Sequence, residues 1–157
     1  MQTRWKPSVT VAAVIERDGL FLLVEEETPE GLRLNNPAGH LDPGESPAQG
    51  CAREALEETA HLFEPTALVG IYLNRFARAQ QDITYLRFAF CGELGAQVPG
   101  RPLDTGIVRT LWMSPDEIRA SAHLHRSPLL MQCMEDYLAG KRLPLDTVRT
   151  DASVSGL

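Results

Sequence analysis

Apolar residues cluster in short runs separated by turn-forming residues. Ser8 to Glu16 (SVTVAAVIE) is almost continuously apolar and predicts a buried strand. Arg17-Asp18-Gly19 is a turn signal, and Leu20 to Val24 (LFLLV) a second strand, so the two predict a hairpin. Leu32 to Asn36 predicts a short strand that stops before Pro37, because the residue ahead of a proline is steered away from helix. The pattern then changes period. Ser46-Pro47-Ala48-Gln49 combines an N-cap serine, a proline at the first helical position and a glutamine at the third, which predicts a helix from Pro47 to Ala60. Leu68 to Phe76, Thr84 to Leu94 and Val108 to Met113 predict three more strands. Ser114-Pro115-Asp116-Glu117 repeats the capping arrangement ahead of a short helix, and Pro128 to Ala139 predicts an amphipathic helix ending at Gly140. Strands and helices mix without strict alternation. The fold class predicted is α+β, an α/β/α sandwich in which helices flank a mixed β-sheet. Residues 1–147 are read as a single domain and residues 148–157 as a flexible, polar C-terminal tail.

Length and composition narrow the functional classes. A chain of 157 residues fits one domain, and a domain of that size buries roughly 70% of its unfolded surface. Apolar residues are 43% and charged residues 23%, so extensive disorder is excluded. No apolar run approaches the ~20 residues of a membrane span, and none suits a signal-peptide core. The net charge of −6 argues against a nucleic-acid partner, since no cluster of Lys or Arg reverses it locally. A polyanionic substrate would then require a mediating cation. The cysteines, Cys51, Cys91 and Cys133, are odd in number and widely spaced, and form no CxxC. A reducing cytoplasm is the expected compartment.

The helix SPAQGCAREALEETA carries the candidate chemistry. At ~100° per residue, Glu57 lies about 60° to one side of Glu54 and Glu58 about 40° to the other, so three carboxylates share an arc of about 100°. Two such charges ~5 Å apart repel by about 3 kcal/mol at an effective dielectric of 20. In water that repulsion is screened, and the face is merely solvated. Half-buried, it needs a compensator, and a hard divalent cation with oxygen ligands is the natural one. Gly50 costs about 1 kcal/mol relative to Ala mid-helix. It falls on the glutamate side, where a missing side chain would leave room for an ion or a phosphate. The preceding loop, Asn36 to Glu45 (NPAGHLDPGE), brings backbone groups toward the same face.

Taken whole, the stretch runs Gly39, five residues, Glu45, seven residues, then Arg53-Glu54-Ala55-Leu56-Glu57-Glu58. This resembles the signature of the Nudix hydrolase family, which is G, five residues, E, seven residues and R-E-U-x-E-E-x-G-U, with U a bulky apolar residue. Every charged position and the leading glycine match. Ala55 is smaller than usual, Ala60 stands where the closing glycine belongs, and His61 replaces the apolar residue after it, which leaves the helix end open. Further short segments resemble the NudJ-type Nudix phosphatases, among them Val24-Glu25-Glu26, Asn36 to Leu41, Leu86-Arg87-Phe88 and Arg126 to Leu129.

The resemblance implies a Nudix fold and Mg²⁺-dependent hydrolysis of a small-molecule pyrophosphate, with Mn²⁺ as a substitute. It implies metal binding by Gly39, Glu54, Glu57 and Glu58, pairing of Arg53 with Glu45 to orient the cluster, and Glu57 as acceptor of the attacking water's proton. An additional acid from a later loop is expected at Asp104, with Glu93 as its rival. His40, Arg75, Arg87 and Arg126 are candidate substrate contacts, and Tyr85 and Trp112 candidate stacking residues. The substrates implied are hydroxymethylpyrimidine pyrophosphate, thiamine pyrophosphate or nucleoside di- and triphosphates. The alternatives are a nucleotide-sugar or ADP-ribose pyrophosphohydrolase and a non-catalytic nucleotide sensor. Neither nucleic acid nor membrane is an expected partner, and the protein is expected to be a monomer or homodimer.

Overall fold

The strand β1 (Ser8–Val14) is buried toward both faces, and this sets the layering. In the computed structural model, which describes residues 3–156, Val11 and Ala13 join one core cluster with Cys51, Ala55, Leu68 and Phe90. Ala12 and Val14 join another with Val69, Leu130, Cys133 and Met134. Successive residues of a strand point to opposite faces, so one strand feeds two cores. The helix α1 (Pro47–Thr59) covers the first core, and α3 (Leu129–Leu138) the second.

The main sheet is mixed. β1 runs antiparallel to β5 (Ala38–His40) and parallel to β7 (Gln81–Gln97). β7 pairs antiparallel with β6 (His61–Arg78), and β6 with the two-residue β9 (Leu143–Pro144), giving the order β5-β1-β7-β6-β9. A second sheet centres on β3 (Leu20–Thr28). β8 (Ile107–Met113) lies along one edge, and β4 (Gly31–Asn35) with β2 (Glu16–Arg17) along the other. The second sheet is antiparallel throughout, and the main one is the mixed sheet flanked by helices that the apolar pattern predicts. No helix among the described residues is long and apolar enough to cross a membrane.

Two local expectations are revised. The hairpin between Ser8–Glu16 and Leu20–Val24 forms over two pairs only, Glu16 with Phe21 and Arg17 with Leu20. Asp18 and Gly19 do form the turn, both at positive φ. The body of the first strand lies in the other sheet, because pairing with β7 buries both of its faces, as a continuously apolar strand requires. β6 and β7 outrun the expected Leu68–Phe76 and Thr84–Leu94, since backbone pairing continues through polar residues and absorbs irregularities near Pro65 and Leu68. α1 ends where expected without the family's glycine. Ala60 itself adopts the left-handed conformation (φ 59°), and its N–H donates to the Leu56 carbonyl at 2.9 Å. A non-glycine residue accepts this at a cost of about 1–2 kcal/mol. Beyond Thr147, Val148 packs against the core under α1, and Ala152–Gly156 form a 3₁₀ turn.

Candidate active site

α1 begins with a reciprocal cap. The Ser46 hydroxyl accepts from the Gln49 N–H, and the Gln49 side chain accepts from the Ser46 N–H. Its buried side reads Cys51, Glu54, Ala55, Glu58 and Thr59, so two of the acids belong to the interior. Burial on that side makes the arc of like charges expensive, and one arginine offsets part of it. Arg53 donates from Nε and Nη2 to the two Glu45 oxygens at 2.9 and 2.7 Å. Nη1 reaches Glu54 at 2.9 Å and Glu57 at 3.1 Å, and Nη2 also reaches the His40 carbonyl at 2.9 Å. The planar guanidinium fork thereby fixes three carboxylates and one loop carbonyl at once, which a lysine could not do.

Two glycines gain meanings from the geometry. A Cβ at Gly39 would land on the Glu54 carboxylate, so the missing side chain lets β5 lie directly against the acid cluster. A Cβ at Gly50 would lie 2.8 Å from Glu45 Oε1 and 3.2 Å from Leu41. The space at Gly50 is therefore taken by the residue that orients Arg53. It is not space for an ion or phosphate, as the helical wheel suggested.

One carboxylate oxygen from each of Glu54, Glu57 and Asp104 lies within 4.8 Å of the others. Asp104 reaches this point because its N–H donates to the Glu57 carbonyl at 3.0 Å, which clamps the loop before β8 onto α1. The rival Glu93 sits opposite Glu64 in the β6–β7 ladder and is not part of this group. Glu58 lies just beside the trio and accepts the Ala38 N–H at 2.8 Å. Burial pushes its carboxyl up to about 8. The Ala38 N–H opposes that shift, and the charges of Glu26, Glu54 and Asp104 add to it. Burial also raises Glu54, against the pull of Arg53. Glu45, hydrogen-bonded to Arg53, is held below the usual carboxylate range. Crowded, desolvated carboxylates of this kind are hard oxygen donors that a divalent cation would relieve, and the donor set fits such an ion.

A cavity of about 710 Å³ opens beside the cluster, with Ala38 and Gly39 in its wall. That volume suits a small organic ligand. His40, Tyr85, Arg87 and Arg126 also line it; Arg75 does not. On β6 the cavity receives Asn74, Phe76 and Arg78, so the intervening Arg75 faces away and pairs with the exposed Asp82 at 2.8 Å. Arg87 lies in the floor, 5% exposed, and donates to Asn36 Oδ1 at 3.0 Å and Asn35 Oδ1 at 3.2 Å. Trp112 packs against the core under α1, with Arg17 over its ring at 4.4 Å, and stands apart from the cavity. Residue patterns alone did not single out Glu26, Asn35, Asn36, Phe76 or Arg78. Glu26 lines the cavity at only 8% exposure and forms an ion pair with Arg126 at 2.9 Å. In the sequence Glu26 stands in a run of three glutamates after the apolar strand, where alternation alone does not tell which of them turns inward. Its one signal was its place in a segment of family resemblance.

An acid cluster set on a capped helix, held by one arginine and joined to a cavity between two sheets, defines a class of hydrolase. The NUDIX domain family model matches residues 5–133, and the chain belongs to the Nudix family of hydrolases, which act on phosphoanhydride bonds. It is similar to the phosphatase NudJ of Escherichia coli (strain K12), with 37% identity over 149 residues, covering 92% of each chain. A solved NUDIX hydrolase from Nitrosomonas europaea is 57% identical, with a TM-score of 0.85, covering 93% of this chain and 98% of that one. A MutT NUDIX hydrolase from Burkholderia pseudomallei shares the fold at 22% identity, with a TM-score of 0.62 over 72% of this chain and 87% of that one.

Proposed function

We propose that the protein is a Mg²⁺-dependent phosphatase of small-molecule pyrophosphates. Its substrates are hydroxymethylpyrimidine pyrophosphate, thiamine pyrophosphate or nucleoside di- and triphosphates. The observation that carries this reading is the convergence of Glu54, Glu57 and Asp104, with Glu58 beside them, directly behind Ala38 and Gly39 of the cavity wall. The similarity to a phosphatase supports the terminal phosphate as the group released.

In this reading Glu54, Glu57, Glu58 and the Gly39 carbonyl hold the ion, with Asp104 as the additional acid. When bound, Mg²⁺ or Mn²⁺ neutralises phosphate oxygens and acidifies the attacking water. Glu57 is less buried than its two neighbours and accepts the proton from that water. Arg53 keeps Glu54 and Glu57 in place through Nη1, and Glu45 keeps Arg53 in place through a two-pronged bond. Arg126 and His40 meet the phosphates from the cavity side, while Arg87 stiffens the floor through Asn35 and Asn36. Tyr85, beside His40 with ring centroids 6.4 Å apart, offers a surface for the organic group. All three cysteines are buried and unpaired, which suits action in the reducing cytoplasm, as a monomer or homodimer.

The test is a phosphate-release screen over these pyrophosphates, nucleotides and ADP-ribose, with and without Mg²⁺. The expected result is orthophosphate as the sole phosphate product, dependent on the ion. Nucleoside monophosphate from ADP-ribose would replace this reading with a pyrophosphohydrolase.

A further inference from the structure

The acid cluster has an unusual neighbour. Glu26 lies on β3 between Val24 and Thr28 on the same strand face, at 8% exposure, and its charge is felt at Glu58. A carboxylate so placed, beside other carboxylates and in the wall of a cavity meant for an anion, is costly unless a cation answers it. Arg126 is that cation: its Nη1 lies 2.9 Å from Glu26 Oε1, which also accepts from Asn35 Nδ2 at 3.4 Å.

The pair is built asymmetrically. Glu26 is buried, whereas the Arg126 side chain is 48% exposed and lines the cavity. The Arg126 backbone is fixed independently. Its N–H donates to the Leu34 carbonyl at 2.8 Å, and the preceding His125 bridges Leu34. β4 therefore holds the main chain of the α2–α3 connection (α2 is Pro115–Ala120), while β3 holds the end of the side chain. One prong of the guanidinium is anchored. Among the described residues, the one ion pair of the guanidinium is through Nη1, and Nε and Nη2 make no hydrogen bond, so a donor edge is left for a ligand. The neighbouring β3 pair, Glu25 with Arg109 at 3.1 Å, does not line the cavity, and its arginine is mostly exposed. Among the described residues, only the pair at position 26 joins a buried anion to a half-exposed cation in the wall of this cavity.

Resting on the phosphatase reading above, we propose that Glu26 is a positioning residue that presents the free edge of Arg126 to the substrate's phosphate oxygens. Arg126 then faces the acid cluster across the scissile group. As water adds to the terminal phosphorus and its bond to the bridging oxygen breaks, Arg126 takes up the negative charge that develops on that oxygen, which stays with the rest of the substrate. Glu26 does not touch substrate. It neutralises its own charge and removes the side-chain freedom of Arg126.

The test is a double-mutant cycle on the full chain with Mg²⁺ and the best substrate from the screen. R126Q should lower kcat/KM about 100- to 1000-fold, the range for removing one charge-stabilising donor. E26Q should lower it about 10-fold or more, and E26D should keep more activity than E26Q. The double variant E26Q/R126Q should be no worse than R126Q within about 3-fold, because the two residues act as one unit. Guanidinium ion at millimolar concentration should partly rescue R126A but not E26Q/R126A, a readout that a purely structural role would not move. Mg²⁺ affinity, read from the shift in Tm with added Mg²⁺, should change less than 2-fold in E26Q. Losses that multiply, rescue that ignores residue 26, or weakened Mg²⁺ binding in E26Q would each overturn the assignment while leaving an active wild type. A wild type that releases no phosphate from any substrate would overturn this inference together with the function it rests on.

Discussion

Single atoms decide much at this site. Gly39 has no side chain where a Cβ would meet the Glu54 carboxylate. Gly39→Ala should therefore displace Glu54 or β5 by an ångström or so and lower kcat/KM by about 100-fold, as small misplacements of catalytic groups do. Steady-state kinetics beside a thermal melt would separate this from simple unfolding. Glu57→Gln keeps the shape and the Arg53 contact but cannot accept a proton. Its kcat should fall about 100- to 10,000-fold in the phosphate-release assay with Mg²⁺ saturating. Charge at Arg53 is equally specific. Lysine reaches one carboxylate at a time, so Arg53→Lys should behave nearly as poorly as Arg53→Gln in the phosphate-release assay.

Elements turn those residues into a site. α1 sets the spacing of its acids, and its register is fixed at the first turn by Ser46 and Gln49. Ser46→Ala should cost about 1 kcal/mol and lower Tm by about 2–4 °C in a domain of this size. A melt unchanged within error would mean that tertiary contacts alone define the helix start. At the other end, Ala60 takes a left-handed conformation that favours glycine, and the chain turns directly into β6. Neighbouring packing there outweighs backbone preference, which is why the family's glycine can be absent without moving the helix end.

Across the whole molecule, two sheets and two helical layers hold four acids close together, and the protein carries an electrostatic load until an ion arrives. Glu58 shows its sign. Its carboxyl is raised to about 8 in the folded protein and has its ordinary value near 4.5 when unfolded. The folded state thus holds more protons between those values, and the ion-free protein should lose stability as pH rises from about 4.5 through 8. Glu45, held low by Arg53, works the other way only below its ordinary range. The ion-free Tm should be higher at pH 5.5 than at pH 8, and Mg²⁺ should raise Tm more at pH 8, where binding has fewer protons to displace. Calorimetry at the two pH values, with and without Mg²⁺, checks both statements. An equal shift at both would contradict the raised Glu58.

Much of this was readable along the chain because it is local. The cap at Ser46, the arc of Glu54, Glu57 and Glu58, the turn at Asp18-Gly19 and the apolar runs all depend on residues a few positions apart, where helix and strand periodicity act directly. The mixed sheet flanked by helices also follows from the order of those runs. Other features depend on distant residues meeting. β1 leaves its neighbour for β7 because only that pairing buries both of its faces. Gly50 makes room for Glu45, Asp104 is clamped to α1 by a backbone bond, and Glu26 finds Arg126 on another element. Those choices depend on which surfaces come together when the layers close, since burial and desolvation have no counterpart in an extended chain.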